Sequence, residues 1–188
     1  MSHSIALVGM PGGGKSTVGR QLARRLDWSF VDSDAVIESR LGESIRAHFE
    51  RAGEESFRDR ETAVIDELTR RAGPCVIATG GGACLRAANR QVLRERCTVV
   101  YLRSTPEELF RRLRHDTQRP LLQVEDPLTR LRELFAQRDP LYRDCAHFVV
   151  ETGRPSVSTL VNMVLMQLEL AGLIPSYIAT SPVDPLHR

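Results

Sequence analysis

Short apolar runs alternate along the chain with longer stretches in which apolar residues recur every three or four positions. The runs at 5–8, 29–32, 74–78, 98–102 and 147–150 are apolar or β-branched at their centres, the pattern of strands covered on both faces. Between them, 15–26 is amphipathic through Val18, Leu22 and Leu26, and 54–71 carries Phe57, Val64, Ile65 and Leu68 at helical spacing. Further helices are expected over 85–94, 127–137 and 156–170. The helix over 105–114 opens Thr-Pro-Glu-Glu: Thr105 can cap it, Pro106 suits its first turn and Glu108 closes a capping box. Strand and helix in alternation predict an α/β fold with a five-stranded parallel sheet and helices on both faces.

Two regions break the alternation. Residues 33–72 hold two or three helical segments with no strand between them, which predicts a helical insertion over the sheet edge where a second substrate can bind. Residues 114–126 are polar and irregular between two helices, as a lid is. The 188-residue chain is long enough for one well-formed core, expected over 1–172. Beyond it, Pro175, Pro182 and Pro185 predict a loosely held tail over 173–188. No segment repeats.

Composition narrows the function classes. With 41% hydrophobic and 27% charged residues the chain is ordinary globular protein, and a net charge of +2 argues for neither nucleic acid nor membrane. No apolar run approaches the roughly 18 residues of a membrane helix, and the run before the first glycines is too short for a signal peptide. Cys75, Cys84, Cys97 and Cys145 stand far apart without a Cys-x-x-Cys pair. Reduced thiols in a cytoplasmic protein are expected, not a disulfide frame or zinc site. Of the 26 basic residues, 25 are arginine and one, Lys15, is lysine. An ammonium is a compact point charge where a guanidinium is planar and bulky, so this lone lysine suggests a site that needs an ammonium.

Gly9-Met-Pro-Gly-Gly-Gly-Lys15-Ser16 fits G-x-x-x-x-G-K-[ST] between the first strand and the first helix. Glycines let successive N–H groups turn toward phosphate oxygens, and the helix start adds its positive end. Lys15 reaches the β- and γ-phosphates of a nucleoside triphosphate, and the Ser16 hydroxyl ligates Mg²⁺. A glycine-rich turn with a solvated lysine is the competing reading, disfavoured by the strand–loop–helix context. Asp32-Ser-Asp34 ends the second strand, and alternation puts both carboxylates on one side at the carboxyl edge. One can hold Mg²⁺ through water while the other accepts from a substrate hydroxyl. The alternative is that Ser33 or Asp34 caps the next helix.

Four further motifs follow in order: Phe57-Arg58-x-x-Glu61, Thr79-Gly80-Gly81-Gly82, Arg119-Pro120-Leu121-Leu122 and Arg138-x-x-x-Tyr142. With the loop and Asp32-x-Asp34 they resemble the shikimate kinase family, from about residue 5 to about residue 170. The resemblance implies a three-layer P-loop kinase fold with a substrate-binding insertion at about 33–72 and a lid at about 114–126. It implies transfer of the γ-phosphoryl of ATP to the 3-hydroxyl of shikimate, in chorismate biosynthesis, with Mg²⁺ as cofactor. Asp34, Arg58, Gly80, Gly81, Gly82 and Arg138 would then hold shikimate, with Arg58 and Arg138 on its carboxylate. Lys15, Asp34 and Arg119 would be the catalytic set, with Asp34 as base or orienting group. Gly12, Gly13, Gly14, Lys15, Ser16, Thr17 and Arg119 would bind ATP, with Arg112 and Pro155 on either side of the adenine. Ser16 and Asp32 would organise the metal.

Each motif also has an ordinary reading. Arg58 can simply pair with Glu54 or Glu61 at helical spacing. Arg138 can be a solvated side chain ahead of a short helix capped by Asp139, with Pro140 in its first turn. Arg119 can be a solvated loop residue; as part of a closing lid it would stabilise charge on the phosphoryl group and exclude water. The third strand ends Val-Ile-Ala-Thr, without the acid common to P-loop proteins. Arg111, Arg112 and Arg114 lack the interleaved aromatics of a nucleic-acid patch. A gluconate or nucleoside monophosphate kinase would share loop and lid but has no evident use for two arginines flanking a glycine triplet. A GTPase would need a second lysine for guanine, and there is none. A monomer is expected, with shikimate and ATP as its small-molecule partners.

Overall fold

Along β1 (Ser4–Val8) every position is buried, and the side chains divide by parity: Ile5 and Leu7 enter one core, Ala6 and Val8 the other. A strand apolar on both sides belongs at the centre of a covered sheet. β1 pairs in parallel with β3 (Cys75–Ala78) and β4 (Cys97–Arg103), while β2 (Ser29–Asp32) and β5 (Phe148–Glu151) form the edges. The order is β2-β3-β1-β4-β5. The computed structural model describes residues 4–116 and 123–176.

One face of the sheet is covered by α1 (Lys15–Leu26) and α7 (Val157–Leu170), which contribute Val18, Leu22, Leu160 and Val164. The other is covered by α2 (Ser33–Leu41), α3 (Ile45–Thr69), α4 (Ala87–Arg96), α5 (Pro106–Leu113) and α6 (Pro127–Cys145). All five expected strands form within a residue or so of their predicted limits. α5 carries the capping box, with Thr105 accepting from the Glu108 N–H and Glu108 from the Thr105 N–H. No helix among the described residues is long and apolar enough to cross a membrane.

The insertion keeps its expected helical segments, and two other local expectations change. The insertion holds α2 and a long α3 that starts at Ile45, broken at Gly53 (φ 83°, ψ 172°) into two segments. α6 does not stop near 137: it runs through Pro140 to Cys145, so Arg138 lies inside it and Asp139 caps nothing. Proline removes an N–H and crowds the preceding turn. The helix continues because Tyr142 and Cys145 are buried beyond it and Asp139 is anchored by three donors described below. Asp34 is not a strand residue: β2 ends at Asp32, and Asp34 stands in the first turn of α2. After α7, the Leu173 N–H bonds the Leu168 carbonyl at 2.9 Å and Ile174 is buried against the α1/α7 core. Residues 177–188 lie outside the described residues.

Candidate active site

The loop between β1 and α1 closes through glycines held at positive φ, Gly12 (77°) and Gly14 (84°), the latter serving as N-cap of α1. The Lys15 ammonium folds back over this loop and donates to the carbonyls of Gly9 and Met10, both at 2.8 Å. It is only 8% exposed, so the single lysine is fixed by backbone contacts at the head of the helix. Ser16, next in α1, donates its hydroxyl to Asp32 Oδ2 at 2.5 Å, and Asp32 Oδ1 accepts from the Ala35 N–H at 3.1 Å. Asp32 is therefore both the N-cap of α2 and the partner of the loop serine, a double use that neither reading of the sequence anticipated.

A cleft of about 420 Å³ opens over this loop at the carboxyl ends of the strands, where ligands bind in such sheets. Gly12, Gly13, Gly14, Lys15, Ser16 and Thr17 line it together with Asp32, Asp34, Gly80 and Gly81. Asp32 and Asp34 share this cleft although strand alternation is not the cause; a strand end and the first helical turn after it bring them there. Burial, then the charges of Glu61 and Asp32, push the Asp34 carboxyl up to about 6, with Lys15 opposing. Its Oδ1 is buried with no hydrogen-bond partner among the described residues. Asp34 as a residue lines the cleft, so its carboxylate is placed to accept from a ligand hydroxyl there.

The glycine triplet follows β3. The Thr79 hydroxyl donates to the Leu7 carbonyl at 2.8 Å and the Gly80 N–H to Ser33 Oγ at 3.2 Å, locking the turn to β1 and α2. Side chains would not fit here. A Cβ on Gly80 would lie 2.5 Å from Asp34 Oδ1, one on Gly81 would lie 2.5 Å from Pro11 Cγ, and one on Gly82 would collide with the Arg58 guanidinium.

Arg58 is 8% exposed on the second segment of α3. It donates to Glu61 Oε1 at 2.7 Å and to Glu54 Oε1 at 3.3 Å, and it lies over the rings of Phe57 and Phe49. The helical-spacing pair foreseen as the ordinary alternative does form, but in a buried setting. Glu61 is 1% exposed; burial pushes its pKa up, while Arg58, then Arg138, pull it down. Arg138, half-buried on α6, is thus an electrostatic neighbour of the same carboxylate. Sequence reasoning named Glu61 in a motif but gave it no function in the site. Its place three residues after a buried arginine on an apolar helix face was the available signal.

α6 is tied to the sheet beneath. Asp139 accepts from the Tyr101 hydroxyl at 2.7 Å, from Arg103 Nε at 3.1 Å and from Arg143 Nε at 3.0 Å. Arg112, which is not among the residues lining the cleft, donates to the Thr152 carbonyl at 2.6 Å, which brings it onto the loop leading to Pro155. Arg119, with Pro120, Leu121 and Leu122, lies outside the described residues, so the middle of the expected lid does too. The expected metal pair, Ser16 and Asp32, is a hydroxyl and a carboxylate in contact, hard oxygen donors suited to Mg²⁺. No larger group of His, Cys, Asp or Glu that could hold a metal occurs among the described residues.

A family model described as shikimate kinase matches residues 11–169. The chain is 58% identical to a shikimate kinase of Ralstonia nicotianae over 98% of its own length and 97% of that protein's. It is 60% identical to one from Paracidovorax citrulli, over 92% and 95% of the two chains. In three dimensions it is similar to shikimate kinase from Acinetobacter baumannii in complex with shikimate, with TM-score 0.85, 47% identity and coverage of 92% and 95%. A gluconokinase from Sinorhizobium meliloti shares the fold alone, at TM-score 0.58 and 19% identity, covering 90% and 93% of the chains.

Proposed function

The chain belongs to the shikimate kinase family, and from that premise we propose how its cleft transfers the γ-phosphoryl of ATP to the 3-hydroxyl of shikimate. The observation that carries the reading is one cleft with a phosphate loop at one side and, beside its glycine triplet, a buried arginine. The loop N–H groups and the positive end of α1 receive the phosphates, and Lys15 swings from its carbonyl contacts to the transferring group. Arg58 and Arg138 fork onto the shikimate carboxylate, and Gly80, Gly81 and Gly82 let the ring approach the backbone. Glu61 holds Arg58 Nη1, and the substrate carboxylate would replace the longer Glu54 contact on Nε and Nη2.

Asp34 accepts from the 3-hydroxyl. A loose transition state needs little early deprotonation, so Asp34 orients the oxygen first and takes the proton late. Ser16 and Asp32 would hold Mg²⁺, which when bound neutralises charge on the phosphates. Arg112 and Pro155 bracket the adenine, Thr17 extends the phosphate contacts, and Arg119 is assigned by its motif to the transferring phosphoryl. The domain assignment is a single P-loop kinase unit over 1–172, with the acceptor insertion at 33–72, the lid at 114–126 and a tail at 173–188. A monomer is part of the same proposal, and the four free, buried cysteines support a reducing cytoplasmic setting.

An acceptor panel tests the reading. ADP release from MgATP is measured with shikimate, gluconate and nucleoside monophosphates in turn. Shikimate alone is expected to drive turnover; turnover with gluconate and not with shikimate would overturn the assignment.

A further inference from the structure

Tyr142 is 1% exposed on α6, one helical turn after Arg138, and does not itself line the cleft. Its hydroxyl donates to the Gly81 carbonyl at 2.5 Å. The phenol is also an electrostatic and hydrogen-bonding neighbour of Arg138. Two groups assigned above to the acceptor, one on a helix and one in a loop 57 residues earlier, thus meet at a single buried hydroxyl.

The contact is rigid on both sides. The Tyr142 ring packs against Tyr101 at 5.0 Å between centroids, and the Tyr101 hydroxyl is held by Asp139. Gly81 is confined from its other side by the Pro11 ring of the phosphate loop. Because a trans peptide is planar, fixing the Gly81 carbonyl fixes the Gly82 N–H in the opposite direction. Neither the Gly81 nor the Gly82 N–H donates to another described residue, which leaves both for a ligand.

We propose that Tyr142 is a positioning residue for the phosphate acceptor: its hydroxyl sets the donor face of the glycine triplet and aligns it with Arg138. This rests on the reading of the cleft given above. Tyr142→Phe keeps the ring and its packing but leaves the Gly81 carbonyl without its donor. Shikimate KM is expected to rise about tenfold while ATP KM stays within about twofold of the parent's. Hydrogen–deuterium exchange, which needs no turnover, should quicken in the segment 79–85 and be unchanged in the phosphate loop and α1.

A shikimate KM within about twofold of the parent's overturns the proposal. So does an equal rise in both KM values, an exchange increase spread over the chain, or a variant that fails to fold. Any of those results makes Tyr142 a core residue only. Failure of the underlying reading would show instead in the parent, as ADP release that shikimate does not stimulate.

Discussion

Asp34 shows how much one side chain's surroundings can demand of it. Burial and the Glu61 and Asp32 charges raise its carboxyl from 3.8 to about 6. The folded protein therefore holds a proton there that the unfolded chain gives up, and the sign follows from that. The stability contributed by the protonated form is complete below pH 3.8 and is lost as pH rises through about 6. Going from 3.8 to about 6 corresponds to at most about 3 kcal/mol, reduced by solvent at the cleft mouth. Asp34→Asn cannot ionise, so its thermal midpoint should exceed the parent's at pH 7.5 and approach it near pH 4. Its kcat should fall by roughly 10²-fold or more. A variant both less stable and fully active would contradict both statements. Lys15 and Ser16 were legible in the sequence because a loop motif fixes their chemistry. Glu61 was legible only as a motif member three residues after Arg58; its burial was not, since a carboxylate on a helix gives no sign of that until the helix has a partner.

Gly53 shows the same limit for elements. Helical segments over 33–72 and helical spacing from residue 54 onward were readable, but not how the segments join, because a lone glycine can mark a cap, a turn or a kink alike. The two segments join at a backbone conformation, φ 83° and ψ 172°, that essentially only glycine adopts. Gly53→Ala should cost about 1–3 kcal/mol, read as a lowered midpoint in thermal or urea unfolding. Since the second segment carries Arg58 and Glu61, shikimate KM should rise as well. An unchanged midpoint would mean that the kink relaxes without strain. Pro140 misled in the other direction. A proline after an aspartate reads as a helix start, yet α6 passes through it, because Asp139 is claimed by Tyr101, Arg103 and Arg143 instead of by a helix terminus. Those donors come from a strand and from the next turn of α6, which local sequence cannot weigh.

Across the whole molecule, alternating strands and helices revealed a parallel sheet, and the ordered motifs revealed its family. The order β2-β3-β1-β4-β5 was not readable, because short apolar strands carry no mark of their neighbours. That order sets β1 between β3 and β4, so the phosphate loop stands beside the glycine triplet while α3 and α6 close over it. On the proposed assignment the nucleotide and acceptor groups are distinct sets of residues, and substitutions should separate accordingly. If Arg112 stacks on the adenine as proposed, Arg112→Ala should raise ATP KM by about 5–10-fold and leave shikimate KM within about twofold. A change in shikimate KM of equal size would mean the two sets are not independent.

The most direct measurement is coupled ADP release, with both substrates varied, for the parent, Arg58→Ala and Arg138→Ala. Arg58 removal strands the buried Glu61, so folded fractions are matched beforehand by thermal melts. If the two guanidinium groups hold the shikimate carboxylate, each variant raises shikimate KM by about tenfold or more while ATP KM stays within about twofold. Variants that keep the parent's shikimate KM, or that weaken ATP equally, would contradict the assignment of Arg58 and Arg138 to the acceptor.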